Sequence, residues 1–147
     1  MKYLLDTNIC IYLIKGRPRE VIERITTMGV NEIALSSITL AELFYGVAKS
    51  MHREKNRQAL VQFTSAFDII PFDDDDAEVY GLLRAGLERK GQTIGPYDLQ
   101  IAAQAIARDY VLVTNNTKEF TRIPQLVLEN WVSPSTDFSG PGALQPL

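Results

Sequence analysis

Short apolar runs alternate along the chain with longer stretches of helical period. KYLL (2–5) is halted by Asp6-Thr7-Asn8, residues that favour turns and helix N-caps, so it predicts a buried strand followed at once by a helix. Asp6 then stands at the strand's C-terminal end. Pro18 opens a second helical pattern carrying Val21, Ile22 and Ile25, and Gly29 interrupts it before the β-like run EIALS. The next helix, around Thr39, presents Leu40, Leu43, Phe44 and Val47 on one face, and residues 52–67 repeat that period with Leu60, Phe63 and Phe67. DIIPF reads as a strand that Pro71 confines to an edge or a strand end. A helix with an acidic start follows, carrying Val79, Leu82, Leu83, Gly86 and Leu87 and closed by Glu-Arg-Lys-Gly. Gly95-Pro96 opens a helix with Leu99, Ala102, Ala103 and Ile106 on one face; YVLVT then reads as a buried strand and LVLENW as a last one.

Strands that alternate with helices and are apolar on both faces call for an α/β fold with a parallel sheet covered by helices. The chain has 147 residues, which fits one domain, read here as 1–132. Residues 133–147, SPSTDFSGPGALQPL, lose all periodicity and read as a flexible tail. Hydrophobic residues make up 46% of the chain against 22% charged, which excludes global disorder. With one cysteine, Cys10, and one histidine, His52, a disulfide framework, a multi-thiolate zinc site and an HExxH metal site are all excluded. Carboxylates are the reagents left in quantity. No apolar run is long enough for a membrane span, and no signal cleavage site follows MKYLLDTNICIYLI, so a cytoplasmic protein without a membrane partner is expected. A net charge of −3 argues against a surface that coats nucleic acid broadly, but leaves room for a local basic groove.

Three acids fall where strands end or helices begin. Asp6 follows the first strand, Glu42 lies in the first turn of the Thr39 helix, and Asp98 in the first turn of the Pro96 helix. In an open parallel sheet, strand C-termini and helix N-termini share the edge at which ligands bind. Carboxylates gathered there repel one another unless a cation lies between them, and an oxygen-only donor set suits magnesium or manganese. Each acid also has a structural reading: Thr39 and Glu42 as a capping box, Asp98 as a complement to a helix dipole, Asp6 as a turn residue. TNNTKEF follows the YVLVT strand and brings Asn115, Asn116 and Glu119 to the same edge, unless it is only an Asn-rich turn capping a short helix. Asp73 to Asp76 lack the spacing of a calcium loop and read as a helix cap with a solvated acidic turn.

LLDTNICIYLIKGRP, SSITLAELFYGVAKS, RKGQTIGPYDLQIAAQA and LVTNNTKEF, in this order and spacing, resemble the motifs of the PIN-domain ribonuclease toxins of the VapC family, over about residues 1–132. The resemblance implies a PIN-like three-layer α/β/α sandwich with a central parallel sheet. It implies a Mg²⁺-dependent endoribonuclease, with Mn²⁺ as a substitute, that leaves 3′-hydroxyl and 5′-phosphate ends. Asp6, Glu42 and Asp98 match the three core acids, which act as metal ligands. Asn116 stands at a fourth position that is often Asp; one negative charge fewer weakens a second metal site, and Glu119 is placed to compensate. Thr7, Asn8 and Asn115 are the supporting polar groups. A small VapB-type antitoxin covering the catalytic groove and a homodimer are also implied; the Phe44-Tyr45 helix and the helix after it supply apolar material for such contacts, with the core as the other reading of either. The substrate is RNA, with the anticodon loop of initiator transfer RNA as the first expectation.

Lys118 and Arg122 border the proposed site and are read as phosphate contacts, and Tyr97 beside Asp98 as a base-stacking ring. Lys15, Arg17 and Arg19, and the cluster Lys49, Arg53, Lys55 and Arg57, have a solvated surface as their simpler reading. Asn116 in place of an acid also motivates a rival, a catalytically silent PIN-like module that binds RNA or protein. A phosphate-accepting receiver domain would need a pair of acids after the first strand, where only Asp6 is present, and a dinucleotide-binding role lacks its glycine fingerprint.

Overall fold

β1 (Tyr3–Leu5) leads through Asp6 directly into α1 (Thr7–Lys15), whose first turn is capped by the Asp6 carboxylate accepting from the Thr7 N–H at 2.8 Å. The computed structural model describes residues 2–132. Gly16, at φ +74°, reverses the chain after α1 in the left-handed conformation that a side chain would strain. α2 (Arg19–Thr26) and a short 3₁₀ turn bring the chain to β2 (Ile33–Ser36). There follow α3 (Ser37–Ala48), α4 (Arg53–Thr64), β3 (Asp68–Ile70), α5 (Asp74–Arg89), α6 (Pro96–Arg108), β4 (Val111–Val113), α7 (Thr117–Phe120) and β5 (Leu128–Glu129). Every expected strand is present. LVLENW is shorter than expected and contributes only two residues to the ladder.

The sheet is parallel throughout, in the order β3-β2-β1-β4-β5. From central β1 the chain builds outward through β2 and β3, then crosses back to β4 on the other side. The β1/β4 boundary is therefore the topological switch point, the place where an open α/β sheet binds ligands. The register pairs Leu5 with both Leu35 and Val113, so the residues that follow, Asp6, Ser36 and Thr114, stand level along one edge. Side chains alternate across the sheet with period two. Leu4, Ala34 and Leu112 face one core with α5 and α6; Leu5, Ile33, Leu35 and Val113 face the other with α1, α3 and α4. The result is the expected three-layer α/β/α sandwich.

Three local readings change. Ser36 ends β2 with extended backbone, and its hydroxyl accepts from the Ile38 N–H at 3.0 Å, so α3 begins at Ser37 rather than Thr39. Glu42 is thereby in the second turn and forms no capping box. The helix expected over 52–67 stops at Thr64; Phe67 lies beyond its end and packs edge-on against Phe63. Asp73 does cap α5, in a reciprocal pair with Asp76, but Asp76 is not a solvated turn residue. Its side chain is fully buried and paired with the Arg108 guanidinium at the end of α6, which also reaches Asp73 Oδ2 at 3.2 Å. Cys10 lies in the core and His52 on the surface, as expected. The proposed tail, 133–147, lies outside the described residues.

Candidate active site

Asp6 is 4% exposed, yet its carboxylate is well satisfied. Oδ1 accepts from the Thr7 N–H and Oδ2 from the Thr114 hydroxyl, each at 2.8 Å. The Thr114 oxygen accepts in turn from the Asn116 N–H at 2.9 Å, so one hydroxyl ties the end of β4 to the end of β1. Burial raises the Asp6 pKa, and these two hydrogen bonds oppose the shift by favouring the ionised form.

From α3, Glu42 meets this group through Thr7, whose hydroxyl donates to Oε1 at 3.1 Å and lies 3.4 Å from the Thr39 hydroxyl. Its carboxyl is also raised above the ordinary value by burial, with the Thr7 bond opposing and the Asp6 charge adding. Asp98 is the third residue of α6, behind Gly95 as N-cap and Pro96 as first helical residue, the arrangement expected from Gly-Pro. Burial, then repulsion from Asp6, Glu119 and Glu42, pushes its pKa up to about 7.

Asp6, Glu42, Asp98 and Glu119 thus come from four distant segments to one sheet edge. Asn116 begins α7 without spending its side chain on a cap. Asn115 is used differently: its amide donates to the Tyr12 hydroxyl at 3.3 Å and accepts from Asn130 at 3.4 Å, which braces the loop. Asn8 sits beside Thr7 at a groove next to the acids. Lys118 is exposed, whereas Arg122 donates to the Thr93 carbonyl at 2.6 Å and fastens the loop that precedes α6. Tyr97 projects from the first turn of α6 and is 58% exposed.

Among the described residues no three His, Cys, Asp or Glu side chains close on one point as a cage. The acids instead form a rim whose members repel one another, and every donor on it is oxygen. That chemistry fits a hard divalent cation, which would relieve the repulsion recorded in the Asp98 shift. Asp6, Glu42 and Asp98 are the residues able to hold it, with Glu119 adjoining.

Two contributors escaped the sequence reading. Thr114 closes the strand YVLVT, and only the pairing of β1 with β4 puts it against Asp6. Gln104, fully buried in α6, accepts from the Ser36 hydroxyl and donates to the Ile70 carbonyl at 3.2 Å, joining the ends of β2 and β3. A glutamine among the alanines of an apolar helix face was the available signal.

The PIN domain family profile matches residues 3–126 of the chain. Ribonuclease VapC2 of Rickettsia felis is 51% identical over 132 residues, covering 89% of this chain and 98% of that protein. The chain belongs to the VapC family of PIN-domain proteins. The tRNA(fMet)-specific endonuclease VapC of Salmonella typhimurium is 43% identical over 131 residues, with 89% and 98% covered. VapBC2 of Rickettsia felis, in a crystal structure with a DNA fragment from their promoter, matches with a TM-score of 0.84 and 49% identity, covering 90% of this chain and all of that one.

In this VapC-family chain, Thr114→Val tests the tie between the strands. Withdrawing a donor from a buried carboxylate is expected to cost about 1–3 kcal/mol of stability. Urea denaturation measures it, and an unchanged midpoint would show that the hydroxyl does not anchor Asp6.

Proposed function

We infer that this protein is a divalent-metal-dependent endoribonuclease, the toxin of a toxin–antitoxin pair. The observation that carries the reading is the convergence of Asp6, Glu42, Asp98 and Glu119 on the switch-point edge, with the Asp98 pKa pushed up to about 7 by burial and then by these neighbours. Asp6, Glu42 and Asp98 would hold Mg²⁺, or Mn²⁺ in its place. Such an ion supplies a water made nucleophilic at neutral pH and a counter-charge for the phosphodiester.

The chain's own residues do the rest. Asp6 is fixed in orientation by Thr7 and Thr114, and Glu42 by Thr7, so these carboxylates are positioned before anything binds. Asp98, whose carboxyl pKa is raised by burial and by repulsion from Asp6, Glu119 and Glu42, would complete the set of three carboxylates around the cation. Asn116 offers an amide to a phosphate oxygen without adding charge, and Lys118 offers an ammonium at the rim. No imidazole is required, which suits a chain whose single histidine, His52, is on the surface. Because water rather than the ribose 2′-hydroxyl attacks, no 2′,3′-cyclic phosphate forms and selection for RNA falls to binding; with the 3′-oxygen as leaving group, the proposed products carry 3′-hydroxyl and 5′-phosphate ends.

The anticodon loop of initiator transfer RNA is the proposed substrate: its splayed bases suit a small site, and the Salmonella typhimurium relative is named for tRNA(fMet). A VapB-type antitoxin is the proposed partner, supported by the VapBC composition of the solved relative. The toxin is proposed to work in the cytoplasm as a homodimer; no helix among the described residues is long and apolar enough to cross a membrane.

The deciding experiment incubates total cellular RNA with purified, antitoxin-free chain in magnesium, in EDTA, and with Asp6→Ala, mapping every new end. One discrete magnesium-dependent cut, in the initiator anticodon loop and absent in the folded variant, is expected. No cut by the folded, metal-supplied chain, or cutting that survives Asp6→Ala, would leave a binding module as the better reading.

A further inference from the structure

Beside the acids, an open groove of about 630 Å³ runs between α1, α3 and the start of α6, within the range that receives small organic groups. Thr7 and Glu42 belong to both the groove and the acid cluster, so a chain lying in one continues into the other. Ile11 and Ile38 make part of the lining apolar. Two tyrosines stand at this groove with their rings in water, Tyr45 at 65% and Tyr97 at 58% exposure. Glu42, Tyr45 and Lys49 follow one another at i, i+3 and i+7, on one face of α3 over about 10 Å. The Lys49 ammonium sits 4.7 Å from the centre of the Tyr45 ring. The groove therefore has acids at one end, aromatic and apolar walls, and a cation at the other end.

We propose that this groove is a nucleobase subsite: a base unstacked next to the cut lies against Tyr45, with Tyr97 on the side of the acids, and Lys49 takes a neighbouring phosphate. A flat heterocycle suits aromatic and apolar walls, and aromatic rings stack on any base. One phosphate at Lys49 and the next at the acids follows from the order of charges along α3. A peptide with a basic side chain could also use apolar walls that end in acids; the Lys49 ammonium beside the exposed Tyr45 ring, a pairing that suits a phosphate next to a base, favours the RNA strand. The subsite rests on the nuclease reading above.

The test takes a short RNA spanning the mapped cut and walks an abasic nucleotide through it. At one position beside the cut, the wild-type chain is expected to lose about 10- to 100-fold in kcat/KM, the worth of one stacked base. In Tyr45→Leu the same abasic position is expected to cost nothing further, whereas Tyr45→Phe, which keeps the ring, retains the sensitivity. Lys49→Gln is expected to raise KM with kcat held within about twofold, as for a contact made equally before and during reaction. Losses that multiply in Tyr45→Leu, or an RNA with no sensitive position, would overturn the subsite and leave the nuclease standing. Absence of any cut by the wild-type chain would overturn both. Variants that cut normally but escape inhibition by the antitoxin would assign the groove to a protein partner instead.

Discussion

Asp98→Asn is expected to abolish RNA cleavage while making the metal-free protein harder to unfold. The two effects have one cause. The Asp98 carboxylate is partly buried among Asp6, Glu119 and Glu42, and that repulsion, together with burial, is what raises its pKa to about 7. Asparagine keeps the shape and removes the charge, so the repulsion ends and one of the three proposed metal ligands is lost. A loss of about 4 kcal/mol in transition-state stabilisation corresponds to about a 10³-fold slower reaction. On stability the sign is fixed by linkage. A carboxyl whose folded pKa is raised from 3.8 to about 7 binds more protons folded than unfolded throughout that interval. Metal-free wild-type stability therefore falls as pH rises from about 4 to 7, and the penalty is complete above that.

The variant lacks this slope, so its advantage should be present at pH 8 and absent at pH 4. Solvent screening of the open rim keeps the gain to about 1 kcal/mol, or about 2–4 °C in a domain of this size. Thermal melts in EDTA at both values measure it, and adding Mg²⁺ should then stabilise the wild type and not the variant. Undiminished cleavage, or a melting temperature at pH 8 no higher than wild type, would contradict this account of the site.

Asp76→Ala should produce the largest loss of stability. Asp76 is 0% exposed at its side chain and Arg108 20%, so removing the carboxylate leaves a mostly buried guanidinium with only the more exposed Asp73 beside it. The same change removes half of the reciprocal cap at the start of α5. Breaking a buried pair from one side costs about 3–5 kcal/mol, a fall of about 10 °C in melting temperature. Asp75→Ala, one residue earlier and exposed, is the control and should be nearly neutral. Replacing both partners, as Asp76→Leu with Arg108→Leu, should recover much of the loss, because no charge is then stranded. Arg108 lies ten residues along α6 from Asp98, about 15 Å. Cleavage per folded molecule by Asp76→Ala should therefore be unchanged at low temperature. A melting temperature within about 2 °C of wild type would show that the pair is dispensable.

Local pattern sufficed for the presence and order of the strands and helices. Apolar runs, helical period and the Gly-Pro and Lys-Gly signals located the strands and helices, because these depend on neighbours a few residues apart. Asp6 and Asp98 were legible as edge acids for the same reason. The start of α3 was not, since Ser36 and Thr39 are both sound caps and the length of β2 decides between them. Nor were the partners separated by long stretches of chain: Thr114 on Asp6, 108 residues away, and Arg108 on Asp76, 32 residues away. Sequence spacing carries no information about which strands become neighbours. The strand pairings do: β1/β4 sets Thr114 beside Asp6, and β1/β2 brings the start of α3, and with it Glu42, to the same edge.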